Sequence, residues 1–176
     1  KDGKILKSPE PDGIFCTTVE IVKEERAILR QVRDSKEAIS PHYLIPPTLT
    51  LEGDQSEAVK HVLTTKDRVS IIMGRAGTGK TTLLKEAVAK ITDVGKTVTV
   101  VAPTAQASRG VLRDEGFAGA ETVAKILNDK SLQANLKDQV LWVDEAGLLG
   151  TKDMLDLLAL TKAQNAQLIL SGDSRQ

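Results

Sequence analysis

From Leu51 onward, short apolar runs alternate with amphipathic stretches. Continuous apolar runs bounded by turn-forming residues are typical of strands buried on both faces, and helical spacing of apolar residues predicts the helices between them. Strands that alternate with helices indicate a parallel sheet covered by helices on both faces. The predicted strands are 69–73, 97–101, 139–143 and 167–171, and the predicted helices are about 54–63, 80–91, 105–114, 121–128 and 151–163.

Three single residues refine this pattern. Gly95 and Gly116 follow two of the predicted helices, at positions where a helix commonly ends in a left-handed residue. Trp142 lies inside a predicted strand, where a core position is the simplest interpretation.

The first 48 residues follow a different pattern. Residues 1–16 are polar and rich in turn formers, with room for a short hairpin. Thr17 and Glu20 have capping-box spacing, and the amphipathic stretch that follows predicts a helix to about Ser35. The pair Pro46-Pro47 predicts a linker within residues 40–50. We therefore expect a hairpin and helix segment with its linker over 1–48, and an α/β domain over 49–176.

Composition limits the function classes. The formal net charge is zero, so any nucleic-acid site must depend on a local patch, and four aromatic residues supply few stacking surfaces for bases. Cys16 is the single cysteine, which excludes a disulfide framework and favours a reducing compartment. No apolar run approaches 18 residues, so we expect no membrane segment and a cytoplasmic protein. Lys1 and Gln176 both look like cuts in a longer chain.

A phosphate-binding loop follows the first predicted strand. The pattern G-x-x-x-x-G-K-[ST] is matched by Gly74, Arg75, Ala76, Gly77, Thr78, Gly79, Lys80 and Thr81, and Thr82 opens the helical run that leaves it. Glycines let consecutive backbone N–H groups converge on an anion, and the helix N-terminus adds partial positive charge. Lys80 is the candidate for the β- and γ-phosphates, and the Thr81 hydroxyl is the candidate ligand of Mg²⁺. The loop predicts a nucleotide site that uses ATP and Mg²⁺.

Two carboxylates follow the third predicted strand. Asp144 at the strand end is suited to the Mg²⁺ shell, and Glu145 is suited to act as the base for an attacking water. An acid at a strand end is common, so the pair gains its meaning from the phosphate-binding loop upstream. The adjacent glutamate favours nucleotide hydrolysis over phosphoryl transfer to a small acceptor.

Three further segments are turns or surface positions when taken alone. They are Gln55, the run Ala102-Pro103-Thr104, and the run Gly172-Asp173-Ser174-Arg175-Gln176. In this order, with the loop and the acid pair, they resemble the N-terminal, RecA-like motor domain of superfamily 1 helicases, with the 5′-to-3′ RecD-like branch fitting best. The resemblance implies that Gln55 reads adenine, that Pro103 and Thr104 contact the DNA strand, and that Gln176 senses the γ-phosphate.

A closer resemblance is to the helicase segment of conjugative relaxase-helicases of the TraI/TrwC type. It is carried by Phe15 with Thr17-Thr18, by the run Val143–Thr151, and by Gly116 with Glu121–Ala124. The resemblance implies an ATP-dependent DNA helicase that acts on single-stranded DNA. It also implies a second RecA-like motor domain after Gln176, which would contribute an arginine to the site.

Some features of that family are missing from this chain. Tyr43 is the single tyrosine, and His42 and His61 form no metal triad, so a nicking domain would lie elsewhere. The alternatives are a RecD-like repair or exonuclease-subunit helicase, a small-metabolite kinase, and a non-catalytic regulatory module that binds single-stranded DNA. No clear lid segment supports the kinase, and intact Lys80, Thr81, Asp144 and Glu145 argue against a degenerate site.

Overall fold

The computed structural model describes residues 5–10, 13–74 and 79–173. The chain opens with an antiparallel hairpin of β1 (Ile5–Glu10) and β2 (Gly13–Thr18), followed by helix α1 (Val19–Arg33). The hairpin and the helix confirm the predicted N-terminal elements. Thr17 as N-cap is wrong by one residue, because Thr18 is the last extended residue and its hydroxyl accepts the Ile21 N–H at 3.3 Å.

A five-stranded parallel sheet forms the rest of the fold. Its strands are β3 (Val69–Met73), β4 (Val98–Ala102), β5 (Glu121–Thr122), β6 (Val140–Val143) and β7 (Gln167–Gly172), in the order β3-β7-β6-β4-β5. The helices are α2 (Gly53–Thr64), α3 (Lys80–Asp93), α4 (Val123–Asn128), α5 (Lys130–Ala134) and α6 (Thr151–Ala163). A π-helical segment spans Gln106–Leu112, and a short 3₁₀ turn spans Ala146–Leu148.

The sheet is covered on both faces. Because side chains alternate along a strand, Val140 and Trp142 of β6 face one core while Leu141 and Val143 face the other. The first core is closed by α2, α3 and the π-helical segment, and the second by α4 and α6. The predicted fold class, a P-loop α/β domain with a parallel sheet between helical layers, is confirmed, and so is Trp142 as a fully buried core residue.

The N-terminal segment is attached to this sandwich. Ile28 and Val32 of α1 pack against the second core, and the Thr151 hydroxyl at the start of α6 donates to the Glu24 carboxylate. The irregular stretch after α1 is attached to α2 by a backbone hydrogen bond. The Tyr43 N–H donates to the Leu63 carbonyl at 2.9 Å. A boundary near residue 48 stays a prediction, and α1 packs on the α/β domain.

The predicted elements deviate where the sequence signal is short. The segment 121–128 begins as the two-residue strand β5 beside Val101 and Ala102, and the helix α4 starts at Val123 with Thr122 as its N-cap. The predicted helix 105–114 is π-helical over most of its length, and α5 was not predicted. Gly95 and Gly116 have φ values of +77° and +104°, which confirms their positions at helix ends. Among the helices of the described residues, none combines the length and apolar character needed to cross a bilayer.

Candidate nucleotide-binding site

The predicted motifs meet at one edge of the sheet. All five strands are parallel, so their carboxyl ends lie on the same side, where open α/β sheets bind ligands. Gly74 follows β3 and its N–H donates to the carbonyl of Gly172, the last residue of β7, at 3.1 Å. Asp144 follows β6, the next strand, and its N–H donates to the Val101 carbonyl of β4 at 2.9 Å. Backbone hydrogen bonds thus join the start of the phosphate-binding loop to the end of β7, and the acid pair to the end of β4.

The strand order sets the width of the site. β7 lies between β3 and β6, so the loop and the acidic strand end are separated by two strand spacings, roughly 10 Å. The space above the end of β7, between the loop and the acidic strand end, is wide enough for phosphate groups and a hydrated cation. Gly172 permits the close approach at its floor, because a Cβ there would lie 3.3 Å from the Gly147 nitrogen.

The described part of the phosphate-binding loop is its two ends. Arg75, Ala76, Gly77 and Thr78 lie outside the described residues. Gly79 has φ +74°, a left-handed conformation that favours glycine, and α3 begins at the next residue. The Lys80 ammonium donates to the Gly74 carbonyl at 3.0 Å and so connects both ends of the loop. Lys80 is half-buried at the helix N-terminus, and Thr82 is exposed in the first turn.

Gln55 lies against the loop. Its Nε2 atom is 2.6 Å from the position that a Cβ at residue 79 would occupy, so Gly79 is needed for this approach. A cavity of about 180 Å³ extends from Gln55 and is lined also by Asp54, Ala58, Ile72, Met73, Gly74, Lys80 and Leu83. The structure therefore brings Gln55 and the loop together, although they are 19 or more residues apart in the chain.

A hydrogen-bonded relay orients the Asp144 carboxylate. The fully buried Trp142 donates its indole N–H to the Ser171 hydroxyl at 2.8 Å, and that hydroxyl donates to Asp144 Oδ1 at 2.8 Å. A hydroxyl has one proton and accepts through its lone pairs, so Ser171 can serve both partners at once. Sequence reasoning missed Ser171, and nothing in the local pattern distinguishes it from another strand residue.

Glu145 has an unusual backbone conformation. Its φ of +52° and ψ of +38° place a residue with a full side chain in the left-handed region, at the start of the 3₁₀ turn. Such conformations cost on the order of 1–3 kcal/mol and are concentrated at functional sites. The turn directs the chain away from β6 immediately after Asp144, and Glu145 is half-buried beside it.

The Thr81 hydroxyl has a partner that the sequence did not suggest. It donates to Glu115 Oε1 at 2.9 Å, across 34 residues of chain. Thr81 and Asp144 supply hard oxygen donors of the kind that Mg²⁺ prefers, and Mg²⁺ commonly takes one or two protein ligands and completes its shell with water and phosphate. Within the described residues, no cluster of three or more His, Cys, Asp or Glu side chains has metal-binding geometry. Two protein oxygen donors, Thr81 and Asp144, fit the number that a nucleotide-bound Mg²⁺ commonly takes from protein.

The remaining predicted residues lie at the same edge or outside the described chain. Pro103 and Thr104 follow β4, and Thr104 is exposed. The Thr104 hydroxyl accepts the Ala107 N–H at 3.1 Å, so it caps the helical segment that follows. Gln176 lies outside the described residues, as do Ser174 and Arg175.

Comparison with known proteins identifies the family. Residues 50–176 match the model of the family described as AAA domain. The chain belongs to this AAA domain family. The residues that match the AAA domain form the α/β sandwich and include every motif of the site. Its assignment, with the relatives below, confirms the resemblance to RecD-like superfamily 1 helicases and to TraI-type conjugation proteins.

Curated relatives of this AAA domain are conjugation proteins. The multifunctional conjugation protein TraI of Escherichia coli is 30% identical over 165 residues, which cover 86% of this chain and 9% of TraI. The probable conjugal transfer protein TraA of Sinorhizobium fredii is 30% identical over 127 residues, which cover 72% of this chain and 11% of TraA. The chain thus spans about a tenth of the length of the relatives it matches.

A solved structure supports the fold. The UvsW helicase from bacteriophage T4 superimposes with a TM-score of 0.54 at 11% sequence identity, covering 84% of this chain and 60% of that chain. At this identity the likeness concerns the arrangement of strands and helices.

Proposed function

We propose that this AAA domain is the ATP-binding and ATP-hydrolysing half of a DNA helicase or translocase that works in a conjugative DNA-processing protein. One observation carries the proposal. The Gly74–Gly172 and Ser171–Asp144 hydrogen bonds join the phosphate-binding loop, the Gly172 segment and the acid pair at one sheet edge. The match to conjugation proteins supports the biological setting.

Each residue has a distinct part in binding. Lys80 neutralises charge on the β- and γ-phosphates, together with the N-terminus of α3, which begins at this residue. Gln55, beside the cavity next to Gly79, reads the adenine edge. Thr81 and Asp144 hold Mg²⁺, which when bound stabilises the negative charge that develops on the transferred phosphoryl group.

Glu145 acts in the hydrolytic step. It accepts a proton from the water that attacks the γ-phosphate, while Asp144 remains oriented by Ser171. The two adjacent acids are thereby divided between metal binding and base catalysis. Gln176 senses the γ-phosphate, and Pro103 and Thr104 contact single-stranded DNA at the neighbouring strand end. A second RecA-like domain supplies an arginine and moves relative to this one during translocation.

Nucleotide titration of two lysine variants tests the proposal. Lys80→Ala removes the ammonium at the loop, whereas Lys85→Ala removes an exposed ammonium farther along the same helix. We expect Lys80→Ala to lose most of its affinity for Mg-ATP and Lys85→Ala to keep it, both with unchanged far-ultraviolet circular dichroism. The measurement is isothermal titration calorimetry, and equal affinities in the two folded variants would contradict the proposed nucleotide site.

A further inference from the structure

The hydrogen bond between Thr81 and Glu115 has a chemical consequence. A threonine hydroxyl has one proton and two lone pairs, so a hydroxyl that ligates a cation must direct its proton elsewhere. Here the proton points to a carboxylate, Glu115 Oε1, at 2.9 Å. Both lone pairs of Thr81 Oγ1 are then available on the side away from Glu115.

We propose that Glu115 is a positioning residue of the magnesium site, acting through Thr81. The proposal rests on the proposed function, since it concerns the cation that accompanies the nucleotide. A charge-assisted hydrogen bond from the hydroxyl to the carboxylate fixes the rotamer of Thr81 and increases the electron density on its oxygen. The Glu115 carboxylate also places a negative charge one hydrogen bond away from the Thr81 oxygen, and this charge favours binding of the divalent cation.

The backbone around Glu115 is well anchored. Its N–H donates to the Val111 carbonyl at 2.9 Å, and the Phe117 N–H donates to the Leu112 carbonyl at 2.9 Å. Arg113 fixes the far side of the turn, because its guanidinium donates to the Ala120 carbonyl at 3.0 Å and to Glu121 at 2.7 Å. Glu115 is half-buried, and its hydrogen bond with Thr81 directs its carboxylate toward α3.

The π-helical segment determines which side chain faces Thr81. An α-helix turns by about 100° per residue, and each extra residue taken up by a π-type turn rotates the following side chains by about that angle. The wide turns at Gln106–Leu112 come directly before the turn that carries Glu115. Asp114, one residue earlier, is exposed, so the two adjacent acids have different surroundings.

The alternative is a structural tether between this turn and α3. A tether would contribute to stability, and it would act equally on nucleotide with and without magnesium. A positioning residue would instead change the ratio between the two affinities. The ratio therefore distinguishes the two roles.

The test is calorimetric titration of ADP into the chain in magnesium and in EDTA, for wild type, Glu115→Gln and Asp114→Asn. Glutamine keeps the size of the side chain and removes its charge, and Asp114→Asn makes the same charge change one residue away. We expect Glu115→Gln to reduce the gain in affinity from magnesium by about 10–100-fold, with no loss of affinity in EDTA. Asp114→Asn should keep the wild-type values in both buffers.

Two results would overturn the inference. One is a Glu115→Gln variant whose ADP affinity rises on adding magnesium as much as that of wild type and of Asp114→Asn. The other is an undiminished effect of Glu115→Gln in a Thr81→Ala background, where the ligand itself is gone and no further loss is expected. If wild type binds ADP no better in magnesium than in EDTA, the proposed function fails instead. Thermal melting of each variant confirms that folded proteins are compared, and Glu115→Ala, which also removes the charge, replaces Glu115→Gln if the latter does not fold.

Discussion

Ser171 connects the core to the candidate site through one hydroxyl group. The Trp142 indole N–H is fully buried and donates to Ser171, and Ser171 donates to Asp144. A buried donor without a partner is costly, so the serine satisfies the tryptophan while it orients the carboxylate. A residue that the core requires thus also prepares the candidate magnesium ligand.

Replacing Ser171 should therefore affect both stability and magnesium binding. We expect Ser171→Ala to lower the free energy of unfolding by about 1–3 kcal/mol, because the Trp142 N–H loses its acceptor. The gain in ADP affinity from magnesium should also fall, because Asp144 loses its donor. Urea unfolding and calorimetric titration measure the two effects.

Ser70 offers a matched control for that experiment. It is buried in β3, and its hydroxyl has no hydrogen-bond partner within residues 5–10, 13–74 and 79–173. Ser70→Ala removes the same atom without removing a bond, so it should be close to neutral in stability and should not change the magnesium effect. Equal losses in the two variants would show that the relay has no special role.

Glu145 and Asp144 should separate catalysis from binding. We expect Glu145→Gln to bind Mg-ATP as wild type does and to lower turnover by a factor on the order of 10² or more, because the base is lost. Asp144→Ala should instead weaken the dependence of binding on magnesium. Steady-state ATPase and calorimetry of the full-length protein distinguish the two, and hydrolysis by Glu145→Gln at the native rate would refute its assignment as the base.

The linker before α2 is connected to α3 at two residues of that helix, Glu86 and Lys90. Glu86 of α3 accepts the backbone N–H groups of Thr50 and Leu51, and the Tyr43 hydroxyl donates to the Lys90 carbonyl at 2.8 Å on the same helix. Burial raises the pKa of Glu86, but these backbone bonds and the nearby Lys90 ammonium lower it more, so its pKa lies below the ordinary glutamate value. The linker is therefore held where α2 can place Gln55 beside the loop.

This lowered pKa predicts a pH dependence of stability. The stabilisation is fully present above the pKa of an unfolded glutamate, about 4.3, and is lost as pH falls through the lower folded-state pKa. We expect Glu86→Gln to be less stable than wild type at pH 7, with the difference shrinking below about pH 4. Urea unfolding across pH measures this, with Glu25→Gln on the exposed side of α1 as the control. A constant difference across the whole range would contradict the role of the Glu86 charge.

The candidate site lies at the carboxyl edge of the sheet that separates the two cores. Arg109 and Arg113, on the π-helical segment and just after it, both bind Glu121, at 2.9 and 2.7 Å. Both guanidinium groups are thus engaged in ion pairs with Glu121, and Arg113 also fixes the turn that carries Glu115 through the Ala120 carbonyl. Arg75 and Arg175 lie outside the described residues. The chain also spans only 9–11% of its conjugation relatives, which leaves ample length for a second motor domain in proteins of that kind.

We expect the 176-residue chain to bind nucleotide weakly and to hydrolyse it slowly. An arginine contributed from another domain is worth about 10³–10⁵ in rate in related phosphoryl-transfer enzymes, and translocation needs a second domain to move against. The measurement is steady-state ATPase with and without single-stranded DNA. Strong stimulation by DNA, at the level of an intact helicase, would show that the chain contains the full catalytic set.

Local patterns in the sequence sufficed to predict the longer helices and strands of the α/β domain. Strand β3 has the predicted bounds, and β4, β6 and β7 each differ by one residue at an end or at both ends. The acid pair and Lys80 could be proposed as site residues from the sequence because each belongs to a motif whose members are neighbours along the chain, and their roles stay predictions. The short elements β5 and α5 were missed, because two or five residues carry no periodic signal.

The order of the strands and the pairing of distant side chains required the tertiary structure. Parallel strands are joined through helices, so nothing in a strand's own residues says that β7 lies between β3 and β6. The partners of the candidate magnesium ligands are likewise non-local, with Ser171 and Asp144 27 residues apart and Glu115 and Thr81 34 residues apart. A hydrogen bond depends on distance and angle in space, which chain packing sets, whereas a motif depends on order along the chain.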